Sequence, residues 1–259
     1  NSYHMKSQYN PSKSNSKSSA EKPSETVRLN KFLSNAGLCS RREADSHIEM
    51  GLVHVNGKII TEMGYQVKPT DEVKFDGARV QQTPPVYLLL NKPKGFVATS
   101  QGGKIVKSVQ DLIRSAVKTP VPAVGDMGRP MTGLLFFTND EVLRKKLNNS
   151  KSIPMIYQVL LDKNVTTDMM RQLKEGQMVF EKMQKINEVS HMDGKSKKEV
   201  GIEVHSLSPA IIVKLFAAVG CKVVLLDRIT YAGLTKKELP RGNWRRLNTK
   251  EVGFMKMFS

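Results

Sequence analysis

The run Val86-Tyr87-Leu88-Leu89-Leu90 has almost nothing to turn toward water. A strand that alternates apolar and polar residues can leave one face wet. One that is apolar on both faces belongs inside a sheet that is covered on both sides. Further strand candidates at 134–138, 156–161, 201–205 and 223–226 are interspersed with helical periodicity near 109–116, 141–147, 167–175 and 211–219. This order predicts an α+β fold, a mixed and mainly antiparallel sheet with helices packed outside it. Residues 191–199 are polar and Lys-rich, which predicts an exposed hairpin or loop.

Upstream the pattern is different. Leu29, Phe32, Leu33 and Ala36 recur at helical spacing, and Gly37 supplies a stop. Ser40-Arg41-Arg42-Glu43 reads as a capping box that starts a second helix running to about Met50. Val53-His54-Val55-Asn56-Gly57-Lys58-Ile59-Ile60 reads as a hairpin, because Asn and Gly accept the two positive φ values of a tight turn. With a strand near 72–75, this predicts a small helix-helix-hairpin domain over residues 28–80. Before it, residues 1–27 are rich in Ser, Lys, Asn and Pro, the composition of a disordered, mildly basic tail. After it, Gln81-Gln82-Thr83-Pro84-Pro85 predicts a short stiff connector to a second domain over 86–259.

Charge narrows the function classes. The chain carries 41 Lys+Arg against 24 Asp+Glu, a formal +17, and most of the surplus lies after residue 80. Such a surplus attracts polyanions, and with no apolar run of membrane-spanning length the partner expected is nucleic acid. The five histidines are scattered without ligand or triad spacing, and no Gly-rich nucleotide loop occurs. Cys39 and Cys221 lie far apart among apolar neighbours, so buried free thiols in a reducing cytoplasm are expected. No charged-then-apolar leader opens the chain, and Asn1-Ser2-Tyr3-His4 reads as a remnant ahead of Met5.

Specific segments go further. Val124-Gly125-Asp126-Met127-Gly128-Arg129-Pro130-Met131-Thr132-Gly133-Leu134-Leu135-Phe136-Phe137-Thr138-Asn139-Asp140 resembles the active-site segment of RNA pseudouridine synthases of the RsuA/RluB type, V-G-R-L-D-R-D-T-T-G-L-L-L-L-T-N-D. Asn91-Lys92-Pro93-Lys94-Gly95 resembles the N-K-P-x-G that opens their catalytic domain. Leu226-Asp227-Arg228-Ile229 and Leu239-Pro240-Arg241-Gly242-Asn243-Trp244-Arg245-Arg246-Leu247 resemble their closing motifs. Residues 28–75 are similar to the S-four-like RNA-binding module. The resemblance implies ribosomal RNA as partner, on the ribosome or its assembly intermediates, a monomer when free, and no metal or cofactor. It implies RNA contacts from Arg28, Lys31, Ser40, Arg41 and Arg42 in the small domain. In the large one it implies them from Lys92, Lys94, Arg129, Lys214, Arg228 and Arg245.

The family chemistry detaches uracil from ribose, rotates it and rejoins it through carbon. It uses an aspartate carboxylate, a basic partner and a tyrosine that stacks on the extruded base. Here Tyr157 stands at the tyrosine position, and Leu226 would help floor the pocket. The aspartate position falls on Gly128, which has no side chain to attack or accept a proton. Family arginines fall on Ala210 and Val213, and only Lys214 keeps charge beside them. The reading preferred from sequence is an RNA-binding member whose isomerase activity has lapsed; the alternative is a working isomerase with a rearranged site in which Asp126 supplies the carboxylate.

Overall fold

A computed structural model describes residues 26–36, 38–80, 84–98 and 107–258. The stop at Gly37, the connector at 81–83 and nearly all of the tail expected over 1–27 lie outside them. The chain divides into two compact units, Asn1–Thr83 and Pro84–Ser259.

In the first unit the elements run β1 (Val27–Arg28), α1 (Leu29–Asn35), α2 (Arg41–Glu49), β2 (Val53–Val55), β3 (Lys58–Ile59), β4 (Gln66–Val67), β5 (Val73–Phe75) and β6 (Ala78–Arg79). Leu29, Phe32 and Leu33 form the buried stripe of α1 and pack with Ala44 and Ile48 of α2 over Val53 and Val55. The sheet order is β3-β2-β5-β6, with β1 and β4 paired separately. The capping box forms: Ser40 Oγ accepts from the Glu43 amide at 3.1 Å, and Glu43 accepts from the Ser40 amide at 3.3 Å. Asn56 and Gly57 adopt φ of 50° and 80° in the β2–β3 turn. Asn56 also ties that turn to Asp71 and Glu72.

The second unit runs β7 (Tyr87–Lys92), α3 (Val109–Ile113), β8 (Thr132–Thr138), α4 (Glu141–Asn149), β9 (Pro154–Leu161), α5 (Thr167–Glu175), β10 (Gln177–Val179), β11 (Lys182–Gln184), β12 (Glu188–His191), β13 (Glu199–His205), α6 (Pro209–Ala218), β14 (Val223–Tyr231), β15 (Leu234–Thr235), β16 (Trp244–Arg246) and α7 (Thr249–Met255). Its main sheet has the order β12-β13-β9-β14-β8-β7-β16, with β15 added to β14. Every pairing is antiparallel except β14 with β8. Leu89, Leu134 and Phe136 join one apolar layer while Leu88, Leu90, Leu135 and Phe137 join another. The central strands are therefore covered on both faces, as their continuous apolar sequence requires.

Gly133 makes the parallel pairing of β14 with β8 possible. Its φ is +110°, and a Cβ built there would fall inside the backbone of Arg228. Only glycine permits β8 and β14 to approach this closely.

Some elements depart from the sequence reading. The helix expected over 109–116 is α-helical to Ile113 and closes as a 3-10 turn over Arg114–Ala116. The β10–β11 hairpin lacks the usual turn residues, since Phe180 and Glu181 fill its corner. Helix α7 does carry a legible start, because Asn248 accepts from the Glu251 amide and Glu251 reaches back. Cys221 is buried, but Cys39 is only half-buried; burial raises both thiol pKa values, with nearby acidic groups adding to the effect.

Candidate active site

The loop after β7 and the loop before β8 are held together by a buried cation. Lys92 is fully buried, and its Nζ donates to the carbonyls of Met131 at 2.5 Å and Pro93 at 3.1 Å. Burial, together with the nearby Arg241, pushes its pKa down to about 8. Backbone bonds complete the tether, from Gly95 to Arg129 and from Ala98 to Met127. The stretch from Gly125 to Met131 is thus a braced loop.

That loop borders a cavity of about 130 Å³. Asp126, Arg228 and Tyr231 all line it, together with Leu207, Ser208 and Pro209 at the start of α6. Ser208 caps α6 by accepting from the Ile211 amide at 3.4 Å.

Arg228 is the charged centre of the wall. It is only 4 % exposed, yet it forms no ion pair among the described residues. Nε donates to the Leu134 carbonyl at 2.7 Å, Nη1 donates to the Tyr157 hydroxyl at 3.2 Å, and the guanidinium lies 4.9 Å from the Tyr231 ring centre. The Tyr157 hydroxyl donates in turn to the Leu207 carbonyl at 3.4 Å. Burial raises the Tyr231 phenol to about 12, Arg228 opposing the rise and Tyr157 adding to it. A positive group in low dielectric, stacked on one phenol and bonded to another, stabilises negative charge that enters or develops beside it.

Across the strand from this wall, Asp227 bonds to Thr132 at 2.8 Å, Arg241 at 3.0 Å and Lys236 at 2.5 Å. Desolvation raises its pKa, but these donors outweigh it and hold the carboxyl below the ordinary range.

Comparison with known proteins bears on this arrangement. An S4 domain model matches residues 27–73, and an RNA pseudouridylate synthase model matches residues 86–209. The chain is 31 % identical over 229 residues to the ribosomal large subunit pseudouridine synthase B of Bacillus subtilis, covering 87 % of this chain and 93 % of that protein. It belongs to the RNA pseudouridine synthase family. Dual-specificity RNA pseudouridine synthase RluF of Escherichia coli is 32 % identical over 239 residues, with 89 % and 78 % covered. A crystal structure of a pseudouridylate synthase shares the fold at a TM-score of 0.61 and 23 % identity, over 88 % of this chain and 99 % of that one.

Within this pseudouridine synthase fold the residues singled out from sequence divide into three groups. Asp126 is exposed and borders the cavity, whereas Gly128 on the same loop is half-buried. Tyr157 and Leu226 lie inside the core, Tyr157 with no exposed surface, so the tyrosine face is not presented to the cavity in this conformation. Val213 is half-buried against the core and Ala210 is exposed, so neither supplies a cation. Arg228, expected from sequence to meet RNA phosphates, is instead a buried cation that lines the cavity. Its burial was unreadable because its neighbours Asp227 and Ile229 do not reveal which face of β14 turns inward.

The basic cluster near the C-terminus is corrected in the same way. Lys92 is internal, Arg245 makes a two-pronged ion pair with Glu251 at 2.8 Å, and Arg246 donates to the Ala116 carbonyl. Arg241 is bonded to Asn91 and Asp227. Each is bonded within the fold, and of the four only Lys92 is withdrawn from solvent; Arg245 is half-buried and Arg241 and Arg246 stay exposed. Lys94, Arg129 and Lys214 do lie at the surface of this unit. In the S4 unit, Arg28, Ser40, Arg41 and Arg42 are exposed and Lys31 is half-buried.

Proposed function

We propose that this chain is a ribosomal RNA pseudouridine synthase that isomerises one uridine at the cavity beside Arg228, with Asp126 as its carboxylate. The observation that carries the reading is that Asp126 and the buried Arg228, which has no ion pair among the described residues, line the same cavity. A carboxylate at the rim meets the reacting base or sugar, and the guanidinium balances charge as the glycosidic bond opens. Tyr157 and Tyr231 hold Arg228 in place. Extrusion of the nucleotide is needed because the reacting atoms are inaccessible in a stacked helix. Exposed cations of the S4 unit, Arg28, Arg41 and Arg42, supply sequence-independent grip on phosphates. Its surroundings are a reducing cytoplasm, and the small domain spans 28–80 with the synthase domain over 86–259.

Gly128 favours a second reading, in which the protein binds ribosomal RNA as an assembly or ribosome-bound factor without isomerising it. RNA tritiated at carbon five of uracil separates the two, because isomerisation releases that label to water. Release that is abolished by Asp126→Asn is the expected outcome. Salt-sensitive RNA binding with no release by the unsubstituted protein overturns the synthase reading in favour of the second.

A further inference from the structure

The β10–β11 hairpin carries an apolar surface that neither the fold nor the cavity uses. Met178 and Met183 are cross-strand partners and are 62 % and 66 % exposed; Phe180, at the corner, is 70 % exposed. Val179 pairs with Lys182, so Phe180 and Glu181 form a two-residue turn, with φ of 49° and 62°. Tight hairpin turns of this geometry favour Asn and Gly, because a side chain with Cβ is strained at positive φ. This chain instead places a large aromatic ring there and holds it out in water.

The ribbon's base is fixed. Val179 is buried in the main core, Ile186 donates to the Leu173 carbonyl, and Gly176 donates to that of Gln172. The exposed ring therefore stands on a rigid support. Beside it Lys182 and Lys185 are exposed and form no ion pair among the described residues, whereas Lys174 pairs with Glu188 at 3.4 Å. Glu181 repels phosphate at the corner itself, leaving the backbone of a bound strand to the lysine side.

We propose that this hairpin is an RNA contact, in which Phe180 stacks on an unpaired base, Met178 and Met183 pack against its sugar, and Lys182 and Lys185 hold the adjacent phosphates. An aromatic face combined with flanking cations is what single-stranded nucleic acid requires. A protein partner fits less well, since lysines are depleted from the core of protein interfaces. The inference rests on the reading that the domain binds RNA and adds the element that grips an unpaired segment.

Binding of a fluorescein-labelled RNA stem-loop and of a fully paired duplex, measured on the full chain, tests it. Phe180→Ala is expected to weaken stem-loop binding between about 5-fold and about 150-fold. Duplex affinity and the circular dichroism spectrum are expected to stay as they were, and Phe180→Trp to retain the stem-loop. Unchanged stem-loop binding by Phe180→Ala overturns the proposal, as does an equal loss on the duplex. So does a sedimentation shift from dimer to monomer with RNA binding intact, which would make the occupant a second copy. Failure of the unsubstituted protein to bind either RNA would remove the wider RNA reading as well, and the two failures are thereby distinguishable.

Discussion

Arg228 donates to the hydroxyl of Tyr157 at 3.2 Å, and the two residues sit directly opposite each other on paired strands β14 and β9. Removing the guanidinium with Arg228→Met breaks that bond and the one to Leu134. Hydrogen bonds from charged donors contribute about 1.5–3 kcal/mol each, so a loss of roughly 3–6 kcal/mol in urea unfolding is expected. Tyr157→Phe leaves Nη1 without its acceptor and is expected to cost about 1–3 kcal/mol by the same measurement.

Gly133→Ala is expected to be severe. The residue occupies φ +110°, and the added methyl would collide with the Arg228 backbone. The strands must separate to accommodate it, which breaks the only parallel pairing in the sheet. A loss of at least ~3 kcal/mol, or failure to accumulate as folded protein, is the outcome to check by thermal unfolding.

Gly128 behaves differently. Its φ is not in the left-handed region, and a Cβ there would lie 3.7 Å from Pro130 Cδ and 3.8 Å from Met131 Sδ, ordinary contact distances. Gly128→Asp is expected to fold with stability changed by no more than about 1 kcal/mol. Combined with Asp126→Asn it asks whether a carboxylate two positions along serves the same cavity. Recovery of tritium release in the double variant is expected, and silence there would confine the role to position 126.

Lys92 gives a pH signature. Its folded pKa of about 8 lies below the ordinary 10.5, so the unfolded chain binds more protons between those values. Stability from this residue therefore rises as pH climbs from about 8 to 10.5, because the cost of a buried charge is relieved. Folded-state titration is expected to add up to about 3 kcal/mol over that window relative to Lys92→Met. Paired urea unfolding curves at the two ends of the range check it.

How much of this was legible in sequence depended on whether the signal was local. Ser40-Arg41-Arg42-Glu43 and Asn56-Gly57 specify a cap and a turn from neighbouring residues alone, and both form. The uninterrupted apolar strands specified burial on two faces, and it is there. The inward turn of Lys92, Arg228 and Arg245 was not legible, because a basic side chain reads as solvated until its partner is known. Those partners, Met131, Tyr157 and Glu251, were not apparent as such from sequence, and the first two come from distant strands or loops. The Phe180 corner was hidden for the opposite reason, since its residues defy the local rule that would have marked a turn.

Strand β14 stands between β9 and β8, and both of those precede it in the chain. Until it is synthesised, β7–β8 and β9–β13–β12 are separate ribbons, each with a bare edge of unpaired amides and carbonyls. A nascent or truncated chain ending before Val223 would hold two sticky half-sheets, which invite aggregation or a chaperone. Since β14 also carries Arg228, the strand that joins the two ribbons is the one that delivers the buried cation to the cavity.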